Sequence, residues 1–169
     1  MIKPVWRYYC ISIGLLIIDQ YTKYLAVTHL VLYKPLPILP LFNLTLAYNK
    51  GIAFSILHDG GFGIRWFFVG FSLIISGYII KWMWILPRES HAQLAALSLV
   101  LGGALGNMYD RVRLGYVIDF LDIYWKHLHW PIFNIADSVI CIGAVCLSVN
   151  MIFFSAFETA PHPRNRILK

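Results

Sequence analysis

Four long apolar runs, roughly Val5 to Val27, Trp66 to Leu86, Ala92 to Met108 and Ile135 to Phe157, alternate along the chain with more mixed stretches. Each is close to the ~20 residues that carry an α-helix across a bilayer, a conformation in which the segment satisfies its own backbone polar groups. The third is the least hydrophobic. Two longer connections, about 29–64 and 110–133, separate the first run from the second and the third from the fourth. Within the former, the prolines of KPLPILPLF forbid a regular helix or a central strand. Beyond them Phe42, Leu44, Leu46 and Tyr48 alternate with Asn43, Thr45, Ala47 and Asn49, which is the period of a strand. HDGGFG (58–63) reads as a flexible turn before the second run. In the third run, LGGALGN gathers Gly102, Gly103, Ala104 and Gly106, small residues that let helix backbones approach closely. The pattern predicts an all-α membrane protein of four transmembrane helices, with a small extracytoplasmic β-sheet cradle. It reads as a single polytopic domain over 1–169, without internal repeats or linkers.

Composition strengthens this reading. The 169 residues are 59% hydrophobic and 13% charged, with mean hydropathy +0.68, whereas soluble domains carry about 25% charged residues. The net charge of +6 does not imply a nucleic-acid partner, because its position along the chain tells more than its total. Lys3 and Arg7 precede the first run, Lys81 and Arg88 flank the short turn between the second and third, and Arg164, Arg166 and Lys169 close the chain. By the positive-inside rule these segments are cytoplasmic, so both termini face in and the two long connections face out. The first run carries Asp19 and Lys23 and lacks a small-residue cleavage site, so it reads as a retained helix rather than a leader. Cys10, Cys141 and Cys146 lie within predicted spans and are expected to be small buried hydrophobes, neither disulfide-bonded nor zinc-binding. Tyr124, Trp125 and Trp130 suit the aromatic belt of a membrane interface.

The chain has only 8 acidic residues, and GYVIDFLDIYWKHLHWPIFNIADSVI (115–140) holds three of them. Asn134 with Asp137 three residues later matches a helix N-terminal capping box, which accounts for Asp137 structurally. Capping does not cover Asp119, which has no helix start beside it and is either a water-facing aspartate of an interfacial loop or part of a site. The loop between the third and fourth spans can bring Asp119 and Asp137 together at the outer surface. Two adjacent carboxylates share one proton near neutral pH, so one activates water while the other polarises a peptide carbonyl. The dipole at the start of the fourth span favours the charged form of Asp137, leaving Asp119 as the proton carrier. Elsewhere, Asp19 and Lys23 are four apart on one helical face, either as a structural ion pair or with Lys23 reaching for the interface while Asp19 orients a site. Asn107, Asp110 and Arg111 end the third run, and neighbouring Asp110 and Arg111 are expected to reach different partners. There is no GxSxG and no HExxH, and the scattered histidines, His127 and His129 included, do not form a metal-binding pattern.

The segments DQYTK (19–23), NKGIAFS (49–55), GGALGNMYDR (102–111), GYVIDF (115–120) and FNIADS (133–138), in this order over nearly the whole chain, closely resemble the motifs of the bacterial lipoprotein signal peptidases, signal peptidase II. Ile118 and Ile52 are minor departures. The resemblance implies a multi-pass aspartyl endopeptidase of the bacterial cytoplasmic (inner) membrane, active towards its outer face. It would cut prolipoprotein signal peptides just before a diacylglyceryl-modified cysteine. By motif position Asp119 and Asp137 would be the catalytic dyad, while Asp19, Lys23, Asn49, Gly51, Asn107, Asp110, Arg111 and Asn134 would line or brace the pocket. The arginine next to Asp110 would suit an ionised, structural aspartate there. No metal or organic cofactor is implied. The expected partners are diacylglyceryl-modified prolipoproteins and membrane phospholipids, with no nucleic acid, and the protein is expected to be a monomer. Two other classes remain on residue pattern. Asp110, Arg111, Gly115, Asp119 and Asp122 loosely echo the CDP-alcohol phosphotransferases, a reading that magnesium dependence would favour. Asp19, Lys23 and Asp137 as a relay would suit a proton-coupled transporter, which repeated halves and broken helices would favour.

Overall fold

A computed structural model describes residues 5–51, 61–87 and 89–158. Its elements in chain order are α1 (Trp6–His29), β1 (Leu36–Leu39), β2 (Phe42–Asn49), α2 (Gly61–Ile85), α3 (His91–Leu114), β3 (Val117–Trp125), β4 (Leu128–His129) and α4 (Ile135–Glu158). All four helices are long and apolar enough to cross a membrane, so the chain is a multi-pass membrane protein with a small sheet. Large apolar side chains such as Ile13, Ile17, Phe67, Ile74, Val145 and Ile152 are exposed around the bundle, as a lipid-facing surface requires.

The helix α3 is central, packing against α1, α2 and α4. Its glycines explain how. A methyl group on Gly102 would sit 2.8 Å from the Ser12 carbonyl oxygen of α1, and one on Gly103 would meet the Ala136 carbonyl and Ile140 of α4. Without a hydrophobic drive between helices in lipid, such close backbone contact is a main source of cohesion. Gly103→Ala is accordingly expected to cost about 1–3 kcal/mol by overpacking, read as a lower thermal midpoint in detergent. Gly14→Ala, where the space is open, serves as the control that leaves the midpoint unchanged. At one end of the bundle Ile79, Met83, Leu94, Leu97 and Leu101 form an apolar core with Val5. At the other, Ala26 of α1 packs with Leu46, Ile118 and Phe120 and seats the sheet on the helices.

The sheet order is β1-β2-β3-β4, antiparallel throughout. Proline-bearing β1 lies at an edge, where its missing donor costs no ladder bond. β2 occupies the stretch where the sequence alternates, pairing Ala47 with Asp119 and Asn49 with Val117, with a bulge between Leu44 and Ala47.

Several expectations need correction. The third helix runs on from Met108 to Leu114, so Asp110 and Arg111 lie within it, with Asn107, and not in the outer connection. It stops because Gly115 takes the left-handed conformation at φ 85°, which glycine adopts without strain. Part of the second connection is strand β3, with Val117, Ile118, Asp119 and Phe120 all buried. Of the expected turn at 58–63, residues 61–63 form the first turn of α2, since glycine disfavours a helix without forbidding it; 58–60 lie outside the described residues, as do Lys3, Arg88, Arg164, Arg166, Lys169 and most of NKGIAFS. The three cysteines are exposed rather than buried. In a bundle whose solvent is lipid, an apolar thiol is as well placed on the outside as in the core.

Candidate active site

In α3, Asn107, Asp110 and Arg111 have i, i+3, i+4 spacing and so share a face. The Asp110 carboxylate accepts a hydrogen bond from the Ile118 amide at 3.2 Å, tying α3 to β3. Its ionic partner is Lys23 of α1, 2.8 Å away, and not the adjacent arginine. Lys23 also lies 2.8 Å from Asp19 and donates to the Asn107 Oδ1 at 3.1 Å. Lys23 and Asp19 are each 1% exposed, so the lysine does not snorkel to the interface; both readings of the pair resolve into one buried ion cluster. The second Asp19 oxygen accepts from the Ala136 amide at 2.9 Å, in the first turn of α4, where unpaired N–H groups and the helix dipole favour an anion. Gln20 completes the cluster by donating to Asp110 at 2.9 Å and to Asp19 at 3.2 Å. Its place in DQYTK, three residues before Lys23, was the signal available for it, yet a glutamine on a helix has too many ordinary roles to be singled out.

The capping box at α4 forms as spaced. The Asp137 amide donates to Asn134 Oδ1 at 2.9 Å and the Asn134 amide to Asp137 Oδ2 at 3.2 Å. The remaining Asp137 oxygen accepts from Asn107 Nδ2 at 2.7 Å. The buried amide of Asn134 donates to Asn107 Oδ1 at 3.1 Å and to Asp119 Oδ1 at 2.7 Å. The other Asp119 oxygen accepts from Asn49 Nδ2 at 2.9 Å, and Asn49 in turn accepts the Gly51 amide at 2.8 Å. A continuous chain therefore runs Asp119, Asn134, Asn107, Asp137, with Lys23 fixing which end of the Asn107 amide faces the second aspartate. Among the described residues, asparagine amides and no direct hydrogen bond link the two carboxylates.

Asp119 is 2% exposed. Burial, followed in opposite senses by the Asn49 hydrogen bond and the negative charge of Asp137, leaves its carboxyl pushed up to about 6. Arg111 spends one donor on the Asn107 carbonyl at 3.2 Å, lies over the Phe68 ring and is within electrostatic reach of Asp137, Asp119 and Asp110. All ten sequence-derived site residues thus join one connected group spanning α1, β2, α3, β3 and α4.

The third acid of the 115–140 stretch behaves differently. Asp122 accepts from Thr45 at 2.8 Å, Asn43 at 3.3 Å and His129 at 2.7 Å. Burial alone would raise its pKa, but the bonds from His129, Thr45 and Asn43 hold it below the ordinary aspartate value. It fastens β2, β3 and β4 together. Hence Asp110, Asp119 and Asp122 each serve separate partners, and the described residues contain no group of three or more acids, histidines or cysteines arranged to hold a metal. The separate partners of those three aspartates do not favour the phosphotransferase pattern.

Comparison with known proteins shows the family. Over 147 residues, 87% of this chain and 88% of the relative, the protein is 46% identical to a lipoprotein signal peptidase of Teredinibacter turnerae. It is 45% identical over 152 residues to one of Geobacter sulfurreducens, covering 89% and 94% of the two chains. A bacterial membrane enzyme solved by the in meso method at 2.3 Å resolution superposes with a TM-score of 0.80 at 30% identity, over 94% of both chains. Residues 11–153 match the family described as signal peptidase (SPase) II, and the chain belongs to that peptidase family.

Proposed function

We propose that the protein is an aspartyl endopeptidase that removes signal peptides from prolipoproteins, cutting before a diacylglyceryl-modified cysteine, with Asp119 and Asp137 as its catalytic pair. The observation that carries this reading is the pair of carboxylates bridged by Asn134 and Asn107. One is buried on β3 with its pKa raised to about 6, and the other is held in the capping box of α4. The unequal environments suit unequal roles. Asp137, beside the N-terminal dipole of α4, is the ionised base that takes a proton from water, whose oxygen attacks the scissile carbonyl carbon. Asp119, protonated, donates to the carbonyl oxygen as it gains charge. Collapse of the tetrahedral intermediate breaks the C–N bond, and the proton taken up by Asp137 passes to the leaving amine of the cysteine. Arg111, with donors unused among the described residues, lies within electrostatic reach of both acids and suits a substrate carbonyl. The other members brace this group: Lys23, Asp19 and Asp110 through Asn107 and the Ile118 amide, and Asn49 with Gly51 through Asp119. The distribution of basic residues supports cytoplasmic termini and a site towards the outer face, where a lipid-anchored substrate can reach it from the bilayer. The protein is read as a monomer acting on membrane-embedded substrates.

Purified protein in detergent containing chelator is expected to cleave a prolipoprotein carrying its diacylglyceryl group and to leave the unlipidated precursor intact, with the new amino terminus at the cysteine. Equal cleavage of both precursors would remove the lipid requirement. No cleavage of either, by protein shown to be folded, would remove the proposal.

A further inference from the structure

We propose that Phe68 of α2 is a positioning residue for this peptidase reaction, a ring platform that sets both the Arg111 guanidinium and the Asn49–Gly51 turn against the two aspartates. The inference rests on the function proposed above. Nothing in the sequence marks Phe68, one aromatic among many in an apolar run. Yet two contacts converge on it, and a neighbouring side chain of α2 adds a further hold on α3.

The Arg111 guanidinium lies 4.9 Å from the Phe68 ring centroid, within the ~6 Å at which a cation is drawn to an aromatic face. Among the described residues that guanidinium makes one hydrogen bond, to the Asn107 carbonyl, so the ring shares in fixing the orientation of its remaining donors. On another side, Gly51 has φ 78° and packs so closely that a methyl group there would come within 2.8 Å of Phe68 Cε2. Gly51 donates to Asn49 Oδ1, and Asn49 donates to Asp119, so the ring seats the turn that supplies one of the two donors to that carboxylate. Finally, Arg65, one helical turn before Phe68, donates to the Val112 carbonyl at 2.7 Å. The two side chains, three residues apart on one face of α2, grip adjacent residues 111 and 112 of α3. A helix that contributes no acid to the site thereby controls the placement of two of its parts.

A flat π-face is needed for the stack, whereas leucine preserves most of the apolar volume without it. Phe68→Leu is expected to lower kcat for lipidated prolipoprotein about tenfold with a smaller change in KM, while Phe68→Tyr restores kcat to within about twofold of wild type. The thermal midpoints of both variants are expected to stay close to wild type. If Leu and Tyr variants behave alike, whether both active or both impaired, or if the loss in Phe68→Leu follows its thermal midpoint, the ring has no positioning role. A double-mutant cycle on thermal stability with Phe68→Leu and Arg111→Met, needing no activity, tests the stack itself: a small midpoint loss in Phe68→Leu that disappears in the Arg111→Met background is expected, and an equal loss in both backgrounds, or none in either, would overturn it. Absence of cleavage by the wild-type protein would instead count against the proposed function, and the cycle would still decide on the stack.

Discussion

Asp119→Asn and Asp137→Asn are each expected to reduce cleavage of lipidated prolipoprotein by ~10²–10⁴-fold, the range a positioned acid or base contributes, while the protein remains folded in detergent. An amide in place of Asp137 has no basic oxygen for the water proton. In place of Asp119 it has no acidic proton for the developing oxyanion. Both variants lose an acceptor, since Asp137 too accepts on both oxygens, from Asn107 and from the Asn134 amide. Asp119 accepts from Asn49 on one oxygen and from Asn134 on the other; an asparagine has one acceptor oxygen, so one of these donors would face another donor, a loss of about 1 kcal/mol.

Against that loss stands the removal of a buried charge. The native carboxyl at about 6 lies above the ~3.9 of an unfolded aspartate. Between those values the folded protein holds more protons than the unfolded chain, so the contribution of Asp119 to stability falls as pH rises from about 4 to about 6 and is flat above. At pH 7.5 Asp119→Asn is therefore expected to unfold at or above the wild-type midpoint, even as cleavage fails. The same value places the alkaline limb of kcat/KM near pH 6, an apparent constant that belongs to the coupled pair. Near-normal cleavage by either variant removes that residue from the dyad, and an activity loss that tracks unfolding reassigns it to the scaffold.

How much of this was open to sequence reasoning depends on what each residue faces. The spans follow from hydropathy because lipid selects apolar residues along whole helices. β2 is legible because its alternation survives, although the polar members Asn43 and Thr45 turn out buried, bonded to Asp122 rather than to water. β3 has no polar and apolar sides to compare, since both faces of Val117 to Phe120 are covered, and a buried strand then resembles any apolar stretch. The end of α3 misleads for the opposite reason. Asp110, Arg111 and Arg113 look like loop, but the first two join Asn107 in a polar interior and only Gly115 marks the terminus. Asp119, Asp137, Asp19, Lys23 and Asp110 stand out because an acid or an ammonium near the membrane needs a partner, whereas Asn49 and Gly51 are marked only by the motif resemblance. Gln20 and Phe68 act through geometry alone, one as an amide over two carboxylates and the other as a ring beneath a guanidinium, and neither residue type is unusual where it stands.

Lys23→Met is expected to be the most destabilising single change in the bundle. The ammonium is 1% exposed and lies 2.8 Å from Asp19 and from Asp110; removing it leaves two buried carboxylates with no counter-charge between them, for which the cost of breaking a buried pair, about 3–5 kcal/mol, is the guide. The thermal midpoint in detergent should fall accordingly. Adding Asp19→Asn and Asp110→Asn to Lys23→Met takes away the uncompensated charge, and much of the midpoint should return, as it does when a buried ionic group is replaced as a unit. Activity should not return with it. Asn107 Oδ1 would keep its bond from Asn134 but lose the one from Lys23, and that amide holds Asp137. A freer amide rotor would let its oxygen turn towards the aspartate it now serves as donor. A wild-type midpoint in Lys23→Met would show that the cluster does not hold the fold together, and full cleavage by the stabilised triple variant would show that Lys23 does not act through Asn107.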